Sequence, residues 1–205
     1  TVQKRIQTYY KEDSVVIYPP VKKPQFRNNI GSFKTSDYYL LISRIVPYKR
    51  IDLVIKACNL LKRKLIVVGQ GRAFNNLKSI AGLFVTFRNQ VSEDELADLY
   101  AHCKALIVAC EEDFGLTAVE AQMFGKPVIA FAKGGVTETV IDGKTGIFFE
   151  KQTVSDLANA IKRFETLTFS KTICINNVSK FSEIRFKKEF LSMVNFHYNR
   201  FFRII

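Results

Sequence analysis

Short, almost uninterrupted apolar runs recur along the chain, spaced so that about one helix fits between successive runs. This alternation constrains the fold more than any other feature. The runs are Ser14–Tyr18, Tyr38–Ser43, Lys64–Val68, Leu83–Phe87, Ala105–Ala109, Pro127–Phe131 and Gly146–Phe149. Runs this short without polar alternation read as strands covered on both faces. Between them lie helical patterns. Ile51–Leu61 places its apolar positions 51, 54, 55 and 58 on one face. Ser92–His102 opens with Ser92 and Glu95 at capping-box spacing. Leu116–Phe124 is stopped by Gly125, Val154–Phe164 is amphipathic, and Ser182–Phe202 is long, basic and aromatic. Strand and helix in strict alternation imply an α/β fold, a doubly wound parallel sheet of Rossmann-like type. Such sheets bind ligands beyond the carboxyl ends of their strands. A length of 205 residues suits a single domain, with its core at about 14–165 and helices over 166–205.

The net charge of +12 is unevenly spread: +7 over residues 1–50, −1 over 51–150 and +6 over 151–205. Basic ends can attract nucleic acid, anionic lipid or phosphorylated ligands. No RNA-recognition pattern of the K/R-G-F-G-F kind accompanies them, so nucleic acid is not an expected partner. Cys58, Cys103, Cys110 and Cys174 form no C-x-x-C pair, and the only histidines are His102 and His197, so no metal is expected. Thiols set in apolar stretches point to a reducing compartment. No apolar run reaches membrane-span length (about 18 residues), and no signal-peptide pattern opens the chain. The expected location is cytoplasmic, with optional peripheral contact at the inner membrane face. Thr1 is not a natural start residue, and the chain is expected to be part of something longer.

The residues that follow the strands carry the chemistry. After Tyr38–Ser43 come Arg44 and Lys49 on a loop stiffened by Pro47, cations that can turn toward one anion. After Lys64–Val68, Gly69 and Gly71 allow close approach of a ligand or a neighbouring backbone. The full dinucleotide fingerprint is missing, because Phe74 stands where its third glycine would be. After Ala105–Ala109 come Glu111, Glu112 and Asp113, then Phe114 and Gly115 at a helix start, and Glu120 within that helix. Unpaired N–H groups at a helix start are suited to phosphate, and carboxylates to pairs of sugar hydroxyls. After Pro127–Phe131, Gly134 and Gly135 suit a loop that needs positive φ, or close approach to a ligand.

Taken in order, Arg44-x4-Lys49, V-G-x-G (68–71), E-x-F-G-L-x-x-x-E-A (112–121), G-x-P-V-I-A (125–130), G-G-x-x-E (134–138) and G-x-T-G (143–146) resemble a known family. The chain resembles the C-terminal, donor-binding half of retaining family 4 glycosyltransferases of GT-B architecture. The opening V-I-Y-P-P-V (16–21) is similar to mannosyltransferase-like members. The resemblance covers roughly residues 14–165.

It implies that Arg44 and Lys49 hold a donor diphosphate, that Glu112 touches the donor sugar and that Glu120 binds ribose hydroxyls. Backbone N–H groups of Phe114, Gly115, Leu116 and Thr117 would face phosphate; Gly69 and Gly71 would border the nucleotide, and Val91 the base. The implied activity is hexosyl transfer, without a metal or other cofactor, from a GDP-, UDP- or ADP-sugar to a glycan or lipid-linked acceptor, as in polysaccharide biosynthesis. Mannose is the first expected sugar. The family's N-terminal domain is absent, so the isolated chain is expected to bind nucleotide and transfer little. The basic segment around Lys187–Lys188 and Arg200–Arg203 is expected to cross back to that missing domain, or to rest on anionic lipid. A nucleotide-binding module without chemistry, and less readily a nucleic-acid-binding domain, are the competing readings.

Overall fold

A computed structural model describes residues 1–22 and 35–202. The elements, in chain order, are α1 (Val2–Tyr10), β1 (Tyr39–Ile42), α2 (Ile51–Leu61), β2 (Leu65–Val68), α3 (Phe74–Ile80), β3 (Val85–Arg88), α4 (Glu93–His102), β4 (Leu106–Val108), α5 (Leu116–Met123), β5 (Val128–Phe131), α6 (Val136–Thr139), β6 (Gly146–Phe149), α7 (Val154–Glu165), α8 (Lys171–Val178) and α9 (Glu183–Phe202). Short 3-10 turns occupy Pro47–Lys49 and Ser179–Phe181. The strands form one sheet in the order β3-β2-β1-β4-β5-β6, and every pairing is parallel. This is the doubly wound order, with its reversal of winding between β1 and β4.

Side-chain alternation explains why the strands read as continuous apolar runs. Tyr39, Leu41, Leu65, Val67, Ile107, Ile129, Phe131, Ile147 and Phe149 point into one core. Leu40, Val68, Leu106, Val108, Val128 and Ala130 point into the other. With helices on both faces, neither set of side chains can be polar. The first core is closed by α2 and by α7, whose Leu157, Ala158, Ala160, Ile161 and Phe164 form one buried stripe. The second is closed by α4 and α5. The Ser92–Glu95 capping box forms reciprocally at the start of α4. All four cysteines are free and buried, and burial pushes the thiols of Cys58, Cys103 and Cys110 up to about 12.

Some expectations need correction. Ser14–Tyr18 is not a strand: it has no ladder partner among the described residues, and Val15 and Val16 are exposed. Its β-branched composition is right for a strand, but a strand exists only where a neighbour accepts its hydrogen bonds. β3 starts two residues later than expected, because Val85 N–H donates to Gly82 O in a turn that leaves Leu83 fully exposed. The helices α1, α3, α6 and α8 are additional to the expected ones. α9 forms as expected but buries none of its residues; Arg203, part of its expected basic end, lies outside the described residues.

The amino end of the sheet is fastened by one carboxylate. Glu165, at the end of α7, accepts two hydrogen bonds from Arg63, at 2.7 and 2.9 Å. It also accepts one from the hydroxyl of buried Tyr39 at 3.0 Å. The Arg63 hydrogen bond is the main cause that holds the Glu165 carboxyl below the usual glutamate range. A depressed carboxyl pKa contributes stability that is complete above the unfolded-state value and is lost as pH falls through the folded-state value. Glu165→Gln is therefore expected to lower stability by about 1–2 kcal/mol at neutral pH. It should also flatten the loss of stability below about pH 4.5, as read by urea unfolding across the acid range.

Candidate functional site

The loops that leave β1 and β4 face each other where the winding of the sheet reverses. On the β1 side the chain runs from Ser43 to Arg50, and the 3-10 turn Pro47–Lys49 aims Lys49 across the gap. On the β4 side it runs from Ala109 through three acids to Gly115, the N-cap of α5. The two sides meet in one ion pair. Lys49 Nζ donates to Glu112 Oε1 at 2.6 Å, and both side chains are largely sheltered, 13% and 24% exposed. Cys110 Sγ donates to the same oxygen at 3.2 Å, and the Lys49 ammonium lies over the Tyr48 ring at 5.1 Å.

Burial pulls the Lys49 pKa down, but the Glu112 hydrogen bond and the surrounding acidic groups outweigh it, and the net shift is upward. A raised lysine pKa contributes stability that is complete below the unfolded-state value and is lost only as pH rises through the folded-state value. The ammonium therefore stays charged across the neutral range.

Gly115 has φ +86°, and a Cβ there would press on Val136 Cγ1 at 2.8 Å. With this residue left-handed, the chain turns straight into α5. Among the described residues nothing accepts from the backbone N–H groups of Phe114, Gly115, Leu116 or Thr117. Those donors, with the positive end of the helix dipole, are the features that bind anions. The Phe114 side chain turns away and packs against Tyr18 and Phe181, with ring centroids at 5.8 and 5.2 Å. Glu120, inside α5, is half-buried and accepts from Tyr100 Oη at 2.7 Å. Arg44 is exposed, and its side chain makes no hydrogen bond or ion pair among the described residues.

The expected glycines do structural work here. A Cβ on Gly69 would overlap the carbonyl oxygen of Ser43, and one on Gly71 that of Ile45. Ile45 N–H donates to Gln70 O at 2.8 Å and Ala73 N–H to Ile45 O at 3.1 Å. The loops after β1 and β2 are thus zipped together, which supports the backbone that carries Arg44 and Lys49. Gly134 and Gly135 play the same part beneath the acidic loop: a Cβ on either would strike backbone of Glu112, Asp113 or Phe114. Gly135 N–H also donates to Glu112 O at 2.6 Å. Val91 lies half-buried between β3 and α4, against the second core.

The structure therefore brings Lys49, Glu112 and the start of α5 into contact or sequence continuity. Gly69 and Gly71 stand behind them, and Arg44 sits on the same loop as Lys49 with its side chain in solvent. Sequence reasoning missed Tyr100, whose hydroxyl orients Glu120, and Cys110, which shares the Glu112 oxygen. A tyrosine on the buried face of a helix needs a partner for its hydroxyl, and that was the available signal. It also missed Arg5 of α1, which reaches Asp113 at 2.5 Å, and the engagement of Glu138 by the Tyr18 hydroxyl at 2.9 Å. Among the described residues, no group of three or more His, Cys, Asp or Glu side chains is placed to hold a metal ion.

Residues 22–181 match the family model for glycosyl transferases group 1. The chain belongs to that family. It is 30% identical over 169 residues to an uncharacterized glycosyltransferase of Methanocaldococcus jannaschii, covering 78% of this chain and 46% of that one. It is 31% identical over 170 residues to a D-inositol 3-phosphate glycosyltransferase of Mycobacterium marinum, covering 77% and 36% respectively. The chain thus spans less than half the length of these curated relatives. A glycosyltransferase structure from Rickettsia africae superposes with a TM-score of 0.80 at 21% identity, over 94% of this chain and 60% of that one. Anabaena HepE in complex with UDP superposes with a TM-score of 0.67 at 23% identity, over 78% and 49%. The fold of this group 1 domain is that of one Rossmann-like half of a GT-B glycosyltransferase.

The zipped loops make a stability test of the group 1 domain. At Gly69 and Gly71 a methyl group meets carbonyl backbone, whereas Gly143 has φ +70° and nothing within 4 Å of an added Cβ. Gly69→Ala and Gly71→Ala are expected to cost about 2–4 kcal/mol each. Gly143→Ala, which meets only the backbone preference, should cost about 1 kcal/mol. Urea unfolding of the three variants checks this; equal losses would contradict the packing of the two loops.

Proposed function

We propose that this domain holds the donor of a retaining, family 4 hexosyl transfer, with the nucleotide diphosphate seated between Lys49 and the start of α5. The observation that carries the reading is the Lys49–Glu112 pair across the reversal of the sheet, beside four N–H groups that have no acceptor among the described residues. An incoming pyrophosphate is a better partner for the ammonium than a single carboxylate, and its free oxygens match the α5 donors. Its arrival would release Glu112 toward the sugar. Arg44 supplies a second, mobile cation from the same loop. Glu120, oriented by Tyr100, would accept from the ribose hydroxyls; Gly69 and Gly71 would border the nucleotide and Val91 the base.

Cleavage of the bond between the anomeric carbon and the diphosphate leaves negative charge on the departing phosphate. Lys49 and the α5 N–H groups are fixed donors beside that charge, the arrangement that lowers such a barrier most, and Arg44 would swing in from solvent to join them. This chemistry needs no metal ion or other cofactor. The acceptor, a glycan or a lipid-linked sugar, would approach from a partner domain supplied elsewhere in the full-length protein. The exposed apolar side chains of α9, Phe190, Leu191, Phe196 and Phe201 among them, would rest on that domain, with anionic lipid as the second option. The isolated chain should accordingly bind donor nucleotide and turn over little.

Relatives found with UDP, such as Anabaena HepE, support a nucleoside diphosphate as the ligand class. GDP-mannose remains the first donor to test, alongside UDP- and ADP-sugars. In a thermal-unfolding panel the preferred donor is expected to raise the midpoint by about 5–10 °C at a hundredfold excess over Kd. Lys49→Ala and Glu120→Ala should each abolish that rise while keeping the far-UV spectrum. A full shift retained by both variants would remove this assignment.

A further inference from the structure

The other end of the sheet carries a second concave site. A cavity of about 660 Å³ opens at the amino ends of β1, β4 and β5, opposite the proposed donor crevice and independent of it. Five cationic side chains line it, against two carboxylates. Both carboxylates are already engaged: Glu165 by Arg63 at 2.7 Å, and Asp37 by Lys104 at 2.5 Å. Lys62, Lys126 and Lys171 are the other cationic side chains on its wall.

Lys126 is the unusual member. It is only 6% exposed, and it forms no ion pair with a carboxylate among the described residues. Its ammonium donates to the Thr35 hydroxyl, a neutral partner, at 3.0 Å. A buried ammonium without a counter-charge is costly unless something supplies one. Burial pulls its pKa down, and the nearby charge of Lys171 adds to that. Lys171 is held close by the backbone: Gly125 has φ +70°, and a Cβ there would occupy the space taken by the Lys171 stem. The fold therefore brings two like charges together on the wall of a cavity large enough for a small phosphorylated molecule. An anion between them would offset both the burial and the repulsion.

We propose that this cavity is a phosphate-binding site, with Lys126 and Lys171 as its paired cations and the Thr35 hydroxyl as a further polar contact. The group recognised is a phosphate monoester, carried either by a soluble molecule or by a lipid headgroup.

The test uses inorganic phosphate as the probe and chloride at equal ionic strength as the control. Thermal unfolding is followed in the Lys49→Met background, so that the donor crevice does not contribute. Phosphate is expected to raise the midpoint by roughly 3–5 °C for each tenfold increase beyond its Kd. Adding Lys126→Met to that background should abolish the rise; if that protein does not fold, adding Lys171→Met serves the same purpose. No rise in the Lys49→Met protein, or a rise that survives the second substitution, overturns the proposal. Co-sedimentation of the wild-type chain with phosphatidylcholine vesicles containing phosphatidic acid, lost on Lys126→Met, would assign the phosphate to a lipid. A phosphate response without vesicle binding would assign it to a soluble molecule.

Discussion

The site depends on one ion pair across the reversal of the sheet. Helices leave β1 and β4 on opposite faces, so their loops part at the point where sheets of this order have their binding crevice. Lys49 and Glu112 close that crevice with a charged contact, and a charged contact can be exchanged for another. A hydrophobic plug would stabilise the resting domain equally well, but a diphosphate could not displace it on favourable terms. A partly sheltered lysine that stays protonated is an electrostatic holding point, and under the proposed function the N–H groups at the start of α5 would supply the rest of the anion's shell.

Precision in that crevice comes from backbone packed on backbone. Two glycine pairs do this work from opposite sides. Gly69 and Gly71 let the loop after β2 support the one that carries Lys49, while Gly134 and Gly135 let the loop after β5 support the one that carries Glu112. Each site loop is therefore braced by its neighbour in the sheet order. The longer side chains then need little reach. Tyr100, buried in α4 and stacked on Phe124 with ring centroids 5.1 Å apart, extends the same logic to Glu120. A hydroxyl held in the core aims a carboxylate at the surface.

Much of this was legible in the residues. Continuous apolar strands imply a sheet covered on both faces, and Lys49, Glu112 and Gly115, which follow strands in the sequence, lie on the loops that meet at its reversal. What could not be read has physical causes. Val15, Val16 and Ile17 have strand composition, but strand formation depends on a partner that sequence does not display. The helix α3 is only seven residues long, too short for periodicity to stand out. The glycines were legible as sites of close approach; that their near neighbours are carbonyl groups of adjoining loops required the fold. Arg44 and Lys49 looked equivalent on spacing, yet the 3-10 turn at Pro47 directs one to Glu112 and leaves the other in solvent.

The central claim, that a nucleoside diphosphate enters between Lys49 and the start of α5, can be tested most directly by backbone amide chemical-shift mapping during titration with GDP or UDP. Large changes are expected at Gly115, Leu116 and Thr117, with smaller ones along Arg44–Lys49, and none of comparable size at the amino ends of the strands. Saturable binding that leaves the amides of Leu116 and Thr117 unmoved would contradict the account.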